Sequence, residues 1–76
     1  MTPEELDHRV GISRRTVVGW RELRSALQPE GALQMIWDEV GMLDTLAVAY
    51  PERAAELAAL IDQWEDLAEL VRNKAN

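Results

Sequence analysis

From Leu57 onward, apolar residues recur at alternating intervals of three and four, as Leu57, Leu60, Trp64, Leu67 and Val71. Only a helix of 3.6 residues per turn brings such positions onto one side. Ile36, Val40, Leu43, Ala47 and Tyr50 repeat the pattern with intervals of four and three, a heptad-like seam that Leu33, Trp37 and Leu46 widen. Ala54, Ala58, Ile61, Ala68 and Leu70 thicken the later stripe beyond what one partner helix would cover. Apolar–polar alternation and Asn-Gly or Asp-Gly hairpin turns are both absent, so no strand pattern competes. The fold class expected is all-α, with about four helices.

Punctuation residues divide the chain. Gln28-Pro29-Glu30-Gly31 reads as a linker. This leaves residues 1–27 as one segment and 32–76 as a helical packing or dimerisation segment, within a single compact domain. Gly41 weakens the first long helix by ~1 kcal/mol relative to alanine, which leaves room for a bend or break near 41–44. Pro51 stops that helix at or before Tyr50 and suits the start of the next, which Arg72 and Lys74 would close favourably for its dipole.

The size of 76 residues bounds what can hold the chain together. A domain this small buries only ~60% of the surface of its unfolded chain. Without cysteine there is no disulfide or thiolate metal site, and His8 alone cannot build an imidazole cluster. No metal or other cofactor is expected. Helix packing, self-association or both must supply stability. No run of ~20 apolar residues is present, and the start Met-Thr-Pro-Glu-Glu lacks the features of a signal peptide. The expectation is a cytoplasmic protein with no membrane partner.

The first segment reads locally as two short helices. Thr2 is a candidate N-cap, Pro3 suits the first helical position, and Glu5 lies three residues after the cap. That helix is expected to run to about Val10. Gly11 offers the positive φ that ends a helix tightly. Ile12 would drop into the core, and Ser13 would cap a second helix running to about Ala26. Charge distinguishes this segment from the rest. The chain carries a net −6. Residues 1–26 hold five arginines against four acids, a net of +1, whereas residues 27–76 hold three bases against ten acids, a net of −7.

The string Glu5-Leu6, then Val10-Gly11-Ile12-Ser13-Arg14-Arg15-Thr16-Val17, then Trp20 resembles the helix-turn-helix superfamily of bacterial and phage DNA-binding proteins. Leu6, Val10, Ile12, Val17 and Trp20 fall where that family buries its side chains. One position departs: Asp7 stands where the family usually has alanine, and it would have to cap the second helix or pair with Arg15 or Arg21. The resemblance implies a helix beginning at Ser13 that enters the major groove of double-stranded DNA. Ser13 would then hold a phosphate. Arg14 and Arg15 would read guanine or anchor the backbone, Val18 would touch a thymine methyl, and Arg21 and Arg9 would contact phosphate. The function implied is a sequence-specific DNA-binding protein, a small phage or bacterial regulator of transcription.

One such module makes few contacts, so a homodimer is expected, joined through Leu57, Leu60, Ile61, Trp64, Leu67 and Val71. The alternative from the residues themselves is a small acidic helical module that binds and modulates a partner protein. In that arrangement the two C-terminal helices form a hairpin and the N-terminal segment completes the bundle. An enzyme is not expected, because no nucleophile has a nearby base and no glycine-rich phosphate loop is present.

Overall fold

The computed structural model describes residues 1–75, with side chains through Asn73. The described chain is all-helical, with no strand. Helix α1 spans Pro3–Glu22, α2 spans Pro29–Ala49 and α3 spans Ala54–Ala75. Short 3-10 turns at Arg24–Ala26 and Pro51–Arg53 connect them. The three helices make an elongated up-down-up bundle of 39 × 18 × 17 Å. Helices α2 and α3 approach most closely, and α1 lies along the hairpin they form, mainly against α3.

Helix α2 begins and ends, and α3 begins, where local chemistry directs. Gln28 is held extended before Pro29 (φ −79°, ψ 117°), and Pro29 opens α2. Glu30 and Gly31 therefore form the first turn of α2, and the expected linker shrinks to the residues just before it. At the far end Tyr50 N–H closes on Leu46 O at 2.8 Å, and Pro51 begins the turn into α3. The break expected as one alternative near Gly41 does not occur. Helix α2 is continuous there, and Thr45 Oγ1 donates to Gly41 O at 3.0 Å along its outer side. The side chain of Lys74, expected to close α3, lies outside those described.

Helix α1 departs from the expected two helices. It runs unbroken for 20 residues, and no described glycine has a positive φ. Its start agrees with expectation: Glu5 N–H donates to Thr2 Oγ1 at 3.1 Å, and the Thr2 hydroxyl donates to Glu5 Oε1 at 3.2 Å. Beyond that, packing overrides the local stop signal at Gly11. Leu6, Val10, Ser13 and Val17 are all buried and Trp20 is half-buried, at intervals of four, three, four and three. A turn at Gly11 would rotate everything after it off this stripe. A glycine inside a helix costs only ~1 kcal/mol, against the burial of several apolar side chains at ~25 cal/mol per Å². Ile12 falls off the stripe and is 37% exposed, rather than dropping into the core.

The core lies where the three stripes meet. Leu57, Leu60, Trp64, Leu67 and Val71 are at most 2% exposed, and Ile61 is half-buried against them. These six residues were the expected dimer interface, yet the bundle consumes them internally. The stripe on α3 is broad because it serves two neighbours, α1 and α2, within one chain. At its centre the Trp20 and Trp64 rings meet edge to face, with centroids 5.7 Å apart and planes at 76°.

Candidate interaction surface

A continuous α1 redistributes the residues expected to contact DNA. Ser13 is 1% exposed, and its Oγ accepts from Trp64 Nε1 at 2.9 Å. Its hydroxyl faces the interior, and with no helix start at this position there are no free amides to hold a phosphate. Arg9 donates to Glu39 Oε1 of α2 at 2.7 Å, in a partly buried pair. Arg14 reaches Glu56 of α3 at 3.5 Å. Arg15 lies back along α1, with Nη1 3.4 Å from where a Cβ on Gly11 would stand. Arg21 and Val18 remain at the surface, where they line an open groove of about 390 Å³ with Glu22, Arg24 and Leu70. Two of the six residues are thus spent on hairpin acids and one on the core, while Arg15, Val18 and Arg21 stay outward.

Asp7 also has a partner other than those expected. Arg53, in the turn before α3, places Nη1 2.7 Å from Asp7 Oδ1 and grips Glu56 with Nε at 3.1 Å and Nη2 at 2.9 Å. One guanidinium therefore ties the N-terminal turns of α1 to the start of α3, using the planar fork that lysine lacks. Its hydrogen bonds, to Glu56 first and then Asp7, raise the Arg53 pKa above its ordinary value. The Arg53 bond holds the Glu56 carboxyl below the usual carboxylate range, against a smaller opposing effect of burial. This cluster escaped the sequence reading, although the spacing of Arg53 and Glu56 by three, across the turn into α3, was an available signal.

An unspent apolar feature is on α2. Trp37, expected to pack in a core or dimer seam, is 43% exposed. Trp64 and Tyr50, expected to do the same, are buried and half-buried respectively. Tyr50 Oη donates to Met1 O at 2.9 Å, which ties the chain start to the α2–α3 turn. Around Trp37 the helical register sets acids: Glu30 and Asp44 lie seven residues to either side, and Asp38 is adjacent, all exposed. Gly41, one turn along, has open space where a side chain would be, and Val48 beyond it is 83% exposed. The result is an exposed indole with an open glycine position one turn along, Leu33 and Gln34 one turn back, and acids around it.

No group of acids or histidines suited to a metal occurs among the described residues, and no described helix is long and apolar enough to cross a membrane. Comparison of the chain with protein-family models, with curated proteins and with solved structures finds no match in any of the three.

Proposed function

We propose that this protein is a helical protein–protein interaction module that captures a basic, amphipathic partner helix on the outward face of α2. The observation that carries the reading is Trp37, 43% exposed in a frame of Glu30, Asp38 and Asp44. Tryptophan is the residue most enriched at the energetic centres of interfaces, where a large ring is desolvated on binding. The acids supply what an indole alone does not, namely a preference for cationic partners and faster encounter with them. A lysine or arginine of the partner would also gain from stacking on the indole face. The open space at Gly41 lets the partner backbone approach closely, and Val48 extends the apolar contact by about two turns.

DNA binding is the second reading, supported by the outward Arg15 and Arg21 on α1. Two arginines are few beside the six to ten phosphate contacts typical of a strong salt-dependent complex, and the net charge of −6 opposes them.

Calorimetric titration separates the two readings. The ligands are a synthetic helix of leucines and lysines in amphipathic register, its glutamate counterpart, and a duplex DNA. The lysine peptide binds the wild type, binds Trp37→Ala at least ~tenfold more weakly, as expected for an anchor residue, and outcompetes the glutamate peptide. Equal binding of both peptides, or salt-dependent DNA binding that Arg15→Ala/Arg21→Ala abolishes, would overturn the proposal.

A further inference from the structure

A separate surface carries a second conclusion, independent of the Trp37 face: we infer that the α1–α3 side of the bundle is a docking site for a second copy of this chain. Towards its end α1 carries Arg14, Arg15 and Arg21 against one acid, Glu22, and Arg24 follows in the 3-10 turn. Over residues 59–70, α3 carries four acids and no base. These two rows stand side by side, because α1 and α3 run parallel, Asp7 meeting Arg53 near one end and Val18 and Leu70 lining one groove towards the other. Between them is the open groove, with Val18 51% exposed at its rim.

Within one molecule the rows do not satisfy each other. Asp62, Asp66, Arg15 and Arg21 are all exposed and take part in none of the ion pairs found among the described residues. A twofold axis parallel to the bundle, lying in the plane of contact, lays α1 of each copy against α3 of the other at equal height. Arg15 and Arg21 of one copy then oppose Asp62 and Asp66 of the other, and the same contact repeats on the opposite side of the axis. Val18 and Leu70 from both copies are covered at the centre. A side of 39 by 17 Å is of the order of the ~800 Å² per partner that a specific interface takes. This interface uses none of the core residues of α3.

Sedimentation equilibrium tests the inference, with circular dichroism as the check on folding. The 8.6 kDa chain is expected to approach twice that mass as its concentration rises in low salt, and to dissociate as salt is added. Arg15→Glu/Arg21→Glu and Asp62→Arg/Asp66→Arg, each alone, weaken association at least ~tenfold through like-charge contacts. Mixed together they recover it, because the heterodimer restores opposite charges on both sides of the axis. Trp37→Ala leaves the dimer unchanged, so failure of this inference is distinct from failure of the α2 reading. A wild-type monomer at every concentration, a dimer indifferent to both charge reversals, or variants that stay monomeric when mixed would overturn it.

Discussion

Trp64 on α3 donates its indole N–H to the hydroxyl of Ser13 on α1 at 2.9 Å, with both residues at most 2% exposed. The pair settles two needs at once. A buried indole needs an acceptor, and a buried serine on the packed side of a helix needs a partner. It is also a directional contact between α1 and the hairpin, whereas the surrounding apolar contacts have no preferred register.

Removing that acceptor leaves the indole N–H unsatisfied. Ser13→Ala is expected to cost about 1–3 kcal/mol, measured by urea unfolding, and to change the emission of Trp64. Ser13→Thr keeps a hydroxyl and should lose less. An alanine variant as stable as the wild type would contradict the buried pair.

Gly11 distinguishes a continuous α1 from two helices joined by a turn. With no positive φ and only the flexible end of Arg15 nearby, Gly11→Ala should stabilise the protein by ~0.5–1 kcal/mol. At a left-handed turn the same substitution would destabilise it. The sign of the change in thermal midpoint decides between them.

Stability should fall in acid in a way traceable to Glu56. Its carboxyl is held below the usual range in the folded protein, chiefly by Arg53. The Glu56 contribution is therefore fully present above the ordinary glutamate value, roughly pH 4.3, and is lost as pH falls through the lower folded value. Arg53, raised above its ordinary value, stays charged throughout this window. In Glu56→Gln the urea midpoint should depend less on pH between about pH 5 and pH 3. A variant that loses stability in acid as steeply as the wild type would show that other groups dominate.

Trp64 and Trp37 should separate by role. Trp64→Ala removes a buried ring, its edge-to-face contact with Trp20 and a hydrogen bond, and should cost ~3–5 kcal/mol. Trp37→Ala should cost less than half as much and leave the helical dichroism intact. A comparable loss at Trp37 would mean that it supports the fold rather than binding.

The long helices were legible because their signal is redundant. Leu57 to Val71 and Ile36 to Tyr50 repeat one spacing over several turns, with Pro51 marking the break between them. Residues 10–13 misled because two local signals, glycine as a stop and serine as a cap, agree with each other. Ser13 was not counted as a core position because it is polar, and its partner is 51 residues away. Counted as one, it continues the interval from Leu6 to Trp20 without a break. Trp37 was ambiguous for a different reason. It sits on the flank of its stripe, between Leu33 and Val40, where spacing alone does not say whether a neighbouring helix covers it. The Arg53 cluster depends on how α1 lies on α3, which no local pattern encodes.

The most direct measurement is a ¹⁵N NMR titration of the wild type with the leucine–lysine helix, following the indole signals of Trp37 and Trp64. The Trp37 indole and the Gly41 amide are expected to shift progressively while the Trp64 indole, bound to Ser13 inside the bundle, stays in place. A Trp37 signal that does not move while residues of α1 respond would contradict it.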